Sequence, residues 1–237
     1  MSNATATAKS GSTDNTSVLL LLLKLRTFIA LIVVTLFFAL MAPNFVSVAN
    51  AIIISKHVAI NAILAIGITY VILTGGIDLS VGSIVGLTGM VAGGLLAHGL
   101  QLPMLGIIIY PNVLEVVCIA LLVGTAIGAI NGLLVTKLGV APFIATLGTL
   151  YVARGAALLL SGGATFSNLV GKEELGNQGY PIIGSGNVLG IPVSIVILVV
   201  LALVAAYVAQ RTPFGRKVYA VGGNERAAAL SGVRVDR

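Results

Sequence analysis

The feature that most constrains this chain is a series of long apolar runs, each ended by turn-forming residues such as those at 42–45 and 98–103. A bilayer core of roughly 30 Å requires about 20 apolar residues in a helix. Runs near or above that length lie at 18–41, 51–73, 79–97, 112–136, 142–162 and 191–209. The sequence therefore predicts an all-α fold, a polytopic transmembrane helix bundle of about six spans.

The charge content excludes a soluble globular domain of ordinary type. Charged residues make up 8% of the chain, against roughly 25% in soluble domains, and 58% of the residues are hydrophobic. The net charge of +6 does not indicate nucleic-acid binding, because no basic stripe is interleaved with aromatic residues and Trp is absent.

The lysines and arginines fall mostly on one side of the predicted bundle. If the N-terminus is cytoplasmic, the inner side carries Lys9, Lys24, Arg26, Lys137 and the basic cluster at 211–237. The positive-inside rule favours this orientation, and an even number of crossings places both termini inside. We expect a disordered cytoplasmic tail at 1–17, a transmembrane domain at 18–209 and a cytoplasmic segment at 210–237.

Two connectors have open interpretations. The run 104–110, which ends before Pro111, is too short to span a bilayer and predicts a re-entrant or interfacial piece. The loop 163–190 faces outward in this topology and carries Glu173 and Glu174. It is either a flexible connector or a docking surface for an external partner.

Few polar residues interrupt the spans. They either line a pathway for a polar solute or form hydrogen bonds between helices. Arg154 is harder to accommodate, because an uncompensated charge near the middle of a span costs at least about 2.5 kcal/mol. We expect it to face a cavity, a carbonyl cluster or Glu115. The pathway candidates are Asn61, Thr69, Asn131, Thr146, Thr149 and Arg154.

The sequence contains no pattern typical of an enzyme or a metalloprotein. His57, His98 and Cys118 lack the spacing of metal ligands. No GxxxxGK[ST] phosphate loop occurs, so the chain is not expected to hydrolyse ATP. We predict no catalytic residue, no metal and no cofactor.

The C-terminal segment "QRTPFGRKVYAVGGNERAAALSGVRVDR" is basic and amphipathic. Asn224 is a suitable cap for a short helix over 225–231 that Gly232 ends. A helix of about two turns does not persist alone in water, so it must pack against something. The alternatives are anionic membrane lipid, attracted by Arg216 and Lys217, and a cytoplasmic protein.

Three motifs occur in a characteristic order: "LTGGIDLSVGSIVGLTG", "GAINGLLVTKLGVAPFIATLGTLYVARG" and "GRKVYAVGGNERAAALSGV". With them the chain resembles the permease subunits of ribose-type ABC sugar importers across nearly all of 19–237. The resemblance implies an inner-membrane protein that moves a monosaccharide such as ribose. It also implies an ATP-binding cassette subunit inside, a sugar-binding protein outside and a second permease subunit, as in a homodimer.

The resemblance also assigns a role to the cytoplasmic segment. By it, the residues that couple the permease to the cassette ATPase are Gly222, Gly223, Asn224, Glu225, Ala228 and Gly232. Members of the family continue through further spans, whereas this sequence stops at Arg237. We therefore expect a C-terminally truncated chain.

The motif "TGGIDLSVGS" at 74–83 places Asp78 between two apolar runs, after Gly75 and Gly76. The first interpretation is a helix cap, in which the carboxylate accepts the N–H of Ser80 or Val81. The alternatives are contact with a coupling partner, or a proton relay in an ion-coupled secondary transporter. The sequence shows no inverted repeat that would support the transporter. A non-transporting membrane scaffold is the third class.

Overall fold

The computed structural model describes residues 12–167 and 169–235, with side chains from residue 25 onward. The helices are α1 Ser12–Met41, α2 Val48–Leu73, α3 Val81–His98, α4 Val113–Thr136, α5 Pro142–Ser161, α6 Tyr180–Ser185, α7 Val193–Arg211, α8 Pro213–Gly223 and α9 Glu225–Leu230.

The long helices lie where the sequence predicts spans. Within the described residues, α2, α3, α4, α5 and α7 are long and apolar enough to cross a membrane, and the described side chains of α1 continue an apolar stretch from Leu25 to Met41. The predicted helix bundle of about six spans is confirmed.

The predicted polar tail at 1–17 differs in part from the structure. Residues 1–11 lie outside the described residues, but α1 begins at Ser12, so 12–17 are helical. Extending an existing helix adds one hydrogen bond for each residue fixed, whereas starting a new helix is unfavourable. The helix that begins in the apolar run therefore extends into the polar residues before it.

The chain divides into two compact units, 1–54 and 55–237. In the first unit, α1 is followed by a bend in which Asn44 has a positive φ of 62°. The Asn50 side chain donates to the Phe45 carbonyl at 2.8 Å, and the rings of Phe38 and Phe45 stack at 5.9 Å. These contacts fix the path of the chain into α2.

The core of the second unit is formed by α3, which packs against both α4 and α5. Midway along α3, Leu87 packs with Ala153 and Ala157 of α5. Towards His98, the buried cluster consists of Ala92, Leu95, Leu96 and Val116. Three helices thus share one interior.

Two short antiparallel hairpins add to the helical fold. Leu100–Leu102 (β1) pairs with Ile107–Ile109 (β2) around a 3₁₀ turn, and Asn187–Val188 (β3) pairs with Ile191–Pro192 (β4). The run 104–110, predicted as a re-entrant or interfacial piece, therefore contains a hairpin strand. Consecutive isoleucines favour an extended strand over a helix of one turn.

Several described residues of the loop 163–190 contact α3 or the cluster at its end, which argues against a flexible connector at those positions. Asn177 is fully buried; its side chain accepts the Lys172 N–H at 2.7 Å and donates to the Leu96 carbonyl at 3.3 Å. Phe166 lies against Gly93 of α3, and Tyr180 packs on the buried cluster near Val116. Asn177 therefore ties the loop directly to the last turn of α3.

Candidate functional site

The motif 74–83 forms the turn that connects α2 to α3. The carboxylate of Asp78 accepts two hydrogen bonds from Ser80, one from its N–H at 2.8 Å and one from its hydroxyl at 2.6 Å. Asp78 is half-buried and Ser80 is fully buried. Ser80 itself occupies the N-cap position of α3, so Asp78 lies two residues before the cap and orients it.

The hydrogen bonds continue from Ser80 into two other helices. The side-chain amide of Asn131 in α4 donates to the Ser80 hydroxyl oxygen at 3.0 Å, and the Thr149 hydroxyl of α5 donates to the Asn131 side-chain oxygen at 2.5 Å. Asn131 is only 6% exposed. We call Asp78, Ser80, Asn131 and Thr149 the polar chain; it joins α3, α4 and α5.

Thr146 ties the same turn to α5 by a second route. Its hydroxyl lies 2.8 Å from the Pro142 carbonyl and 3.3 Å from the carbonyl of Ile77, the residue before Asp78. Thr146 is buried, so its hydroxyl is shared between its own helix and the turn.

The start of the turn requires glycine. Gly75 has a φ of 80°, and its N–H donates to the Ile72 carbonyl at 2.9 Å. The Gly76 N–H donates to the Val71 carbonyl at 3.0 Å. This is the Schellman arrangement that ends a helix on a left-handed residue, and it satisfies the last carbonyls of α2.

The other predicted pathway residues do not join this network. Asn61 and Thr69 are exposed and bond to carbonyls of their own helix, those of His57 and Ala65. The structure thus separates two groups among the polar residues of the spans. Asn131, Thr146 and Thr149 make contacts between elements, whereas Asn61 and Thr69 bond within their own helix.

Arg154 is exposed on α5, and it has no hydrogen bond or ion pair with any described residue. Of the three surroundings expected for Arg154, Glu115 is not its partner, because Glu115 forms a capping box with Asn112 at the start of α4. The Asn112 N–H donates to the Glu115 carboxylate at 2.8 Å, which engages that carboxylate locally. Within the described residues, no cluster of His, Cys, Asp or Glu could hold a metal ion.

The C-terminal segment folds as two short helices after α7. Thr212 caps α8 by accepting the Gly215 N–H at 3.3 Å, and Asn224 caps α9 by accepting the Ala227 N–H at 2.9 Å. The α9 helix ends at Leu230, and Gly232, two residues later, has a φ of 83°. Ala228 is buried, whereas Leu230 is 91% exposed. One side of α9 is thus buried against the rest of the structure, and the other side is exposed.

The end of α8 meets the end of α2, a contact that sequence reasoning missed. A Cβ added at Gly222 would lie 1.6 Å from the Leu73 carbonyl oxygen, so the two backbones touch and no side chain fits between them. A Cβ at Gly223 would meet nothing within 4 Å. Glycines in both motifs, at 75–76 and 222–223, were the available signal, but sequence alone does not show which of them face each other.

Comparison with known proteins places this arrangement in a family. The family described as a branched-chain amino acid transport system / permease component matches residues 50–237. The chain belongs to this permease family. No solved structure matches it.

Curated relatives are similar over most of the chain. The ribose import permease protein RbsC of Haemophilus influenzae is 39% identical over 95% of this chain and 65% of its own length. RbsC of Bacillus subtilis is 39% identical over 90% of this chain and 62% of its own length. A D-allose transport system permease of Escherichia coli is 34% identical over 88% of this chain and 59% of its own length. The chain thus spans less than two thirds of the length of these relatives.

Proposed function

We propose that this chain is the membrane-spanning permease subunit of an ABC importer that carries a monosaccharide such as ribose across the inner membrane. The observation that carries the proposal is the 39% identity to ribose import permeases over 90% or more of the chain. The described spans support it, because they supply several apolar helices around a shared interior.

A sugar suits the described spans better than the amino acid in the family description. A sugar presents neutral hydroxyl groups, which need hydrogen-bond donors and acceptors and no fixed counter-charge. Among the pathway candidates, Asn61 and Thr69 are exposed and neutral, and Arg154 alone is charged, whereas an amino acid zwitterion would also need a partner for its ammonium group.

The α9 helix supports a cassette partner on the cytoplasmic side. Ala228 anchors it, while Glu225, Arg226 and Leu230 are exposed. An exposed leucine beside two opposite charges is suited to a protein surface with an apolar recess. In this proposal ATP is hydrolysed by that partner, and the permease is not itself an enzyme.

The loop 163–190 supports an external sugar-binding protein. Glu173 and Glu174 are exposed on a segment that Asn177 holds against α3. A held segment loses less conformational entropy on docking than a flexible one. A second, identical permease subunit would complete the pathway across the bilayer.

In the proposed mechanism the pathway alternates between its two sides. Cassette closure on ATP moves α8 and α9, and the spans then open outward to receive sugar from the binding protein. The weak, neutral chemistry of the spans leaves selection of the sugar to the binding protein.

The test is solute uptake into proteoliposomes that contain the complete permease, a cassette subunit and a sugar-binding protein. We expect ribose uptake that requires both internal ATP and the binding protein, with leucine as the control solute. Uptake driven by an imposed proton gradient without ATP would overturn the proposal and favour an ion-coupled transporter. Absence of uptake under every driving force, with a folded protein, would favour a scaffold.

The Asp78→Asn variant distinguishes an ATP-driven importer from an ion-coupled secondary transporter. Asparagine retains an oxygen that accepts the Ser80 N–H, so an ATP-driven importer should keep most of its uptake. A proton relay would lose its titrating group, and gradient-driven uptake would stop.

A further inference from the structure

The turn 74–80 is held at both ends and in its middle. At its start, the Leu73 carbonyl lies against Gly222 of α8, and Gly75 and Gly76 close the last turn of α2. In its middle, Thr146 bonds the Ile77 carbonyl. At its end, Ser80 is bound by Asp78 and Asn131. A displacement of α8 therefore meets a turn with little freedom to absorb it.

We infer that the polar chain, Asp78, Ser80, Asn131 and Thr149, is a positioning device that makes α3, α4 and α5 move together when α8 pushes on the end of α2. This inference rests on the proposed function, in which α8 and α9 receive the motion of the cassette partner. In it, Asn131 and Thr149 act on transport through the turn and do not contact the sugar.

The chemistry of the polar chain suits such a role. Its members are linked by directional hydrogen bonds, and Ser80 and Asn131 are buried, where a broken bond leaves a polar group without water. Apolar contacts between smooth helix faces tolerate small displacements, whereas a hydrogen bond weakens steeply when its geometry changes. The three helices therefore keep their relative positions when α8 pushes on the end of α2 and displaces the turn.

The contact between Gly222 and the Leu73 carbonyl transmits the motion of α8 to the end of α2. The α9 helix follows α8 directly at Asn224, so motion of the exposed α9 reaches Gly222 through the α8 end. Because Gly222 lies against a backbone carbonyl, the contact has no flexible side chain that could absorb the displacement.

The test measures the coupling ratio, which is the number of ATP molecules hydrolysed for each sugar taken up, in the complete reconstituted importer. Thr149→Val keeps the shape of the side chain and removes its donor to Asn131. We expect it to raise the coupling ratio at least about five-fold, because a lost coupling of this kind is worth a factor of 5 or more. Thr149→Ser, which restores the donor, should lie within about two-fold of the original protein.

A matched control lies on α4. Thr125 is exposed, and its hydroxyl donates to the Leu121 carbonyl of its own helix at 2.7 Å. Thr125→Val makes the same chemical change without touching the polar chain and should leave the coupling ratio unchanged. A purely structural effect of Thr149→Val would lower uptake and stimulated ATP hydrolysis in proportion, and that result would overturn the inference.

A second pair of variants tests the contact between α8 and the end of α2. Gly222→Ala introduces a Cβ against the Leu73 carbonyl, and we expect the sugar taken up for each ATP hydrolysed to fall at least about five-fold. Gly128→Ala on α4, where an added Cβ would also meet nothing within 4 Å, should behave like the original protein. Equal behaviour of these two variants would overturn the inference. Absence of ATP-driven uptake in the original protein would instead remove the proposed function.

Discussion

The two ends of the α3–α4–α5 bundle are joined by different chemistry. At the Ser80 end, the interior contains the hydrogen-bonded side chains of Ser80, Asn131 and Thr146. At the His98 end it contains Leu95, Leu96 and other apolar side chains, against which the loop 163–190 packs. Between the three helices, the Ser80 end is specified by hydrogen-bond directions and the His98 end by apolar packing, to which Asn177 adds hydrogen bonds from the loop.

The two ends of such a helix bundle can therefore have separate roles. Hydrogen bonds between helices fix one geometry, because a change in the donor or acceptor position breaks them. Apolar packing tolerates repacking if volume is conserved. We therefore expect substitutions at the Ser80 end to affect helix arrangement most, and substitutions at the His98 end to affect mainly the attachment of the loop.

The largest effect is expected for Asn131→Leu. Leucine has a similar volume but removes the donor to Ser80 and the acceptor for Thr149. We expect a loss of about 2 to 3 kcal/mol in the free energy of unfolding, since buried polar groups lose their partners. The measurement is reversible unfolding in mixed detergent micelles, followed by circular dichroism.

Asn61→Leu is the matched control for this substitution. Asn61 is exposed and bonds only to the His57 carbonyl of its own helix, so the loss should be small. If both asparagines gave the same loss, the Ser80 end would not depend on hydrogen bonds between helices.

The next effect is expected for Gly93→Ala at the His98 end. The new Cβ would lie 2.7 Å from the ring of Phe166 and 3.1 Å from its Cβ, so the loop must shift. We expect a loss of about 2 kcal/mol, as is typical of overpacking, with faster proteolysis or hydrogen exchange within 163–167. Gly94→Ala is the control, because its Cβ would meet the same ring at an ordinary 3.7 Å. Equal protection in both variants would contradict the role of this contact.

Much of the fold was predictable from local sequence. Hydropathy located the long helices because the length of an apolar run and the thickness of a bilayer are fixed quantities. The capping residues Asn224 and Gly232 located α9 because capping depends on neighbours in the chain. In each case, residues close in sequence determine the structure.

The site was predictable only in part. Composition identified Asn131, Thr146 and Thr149 as unusual residues in their spans, but their partners lie on other helices. The Asn131 bond to Ser80 crosses 51 residues and the Thr146 bond to Ile77 crosses 69. Glu115, one of the surroundings expected for Arg154, is instead engaged by Asn112 in a capping box, which is a local pattern that the sequence did offer. Patterns among neighbouring residues do not predict hydrogen-bond partners that lie 51 or more residues apart.

A smaller effect is expected for Val116→Ala, which tests the apolar end without adding strain. Val116 is fully buried in the cluster at the His98 end. Removing two methyl groups leaves a cavity, and the lost packing should lower the free energy of unfolding by about 1 to 1.5 kcal/mol. The same substitution at Val152, which is 73% exposed, should cost much less. A Val116→Ala loss larger than that of Asn131→Leu would reverse the comparison between the two ends.

The smallest effect is expected for Thr69→Ala, one turn before α2 ends. The Thr69 hydroxyl donates to the Ala65 carbonyl of its own helix at 2.7 Å and is exposed, so its removal leaves no buried group unpaired. The free energy of unfolding should change by less than about 0.5 kcal/mol in the same detergent unfolding measurement. A change as large as that of Asn131→Leu would mean that any polar group in a span stabilises the bundle. A negligible change would assign the stability lost in Asn131→Leu to hydrogen bonds between helices. Thr69 and Thr149 are both polar residues of spans, but the Thr69 hydroxyl bonds within its own helix, whereas the Thr149 hydroxyl bonds to another helix.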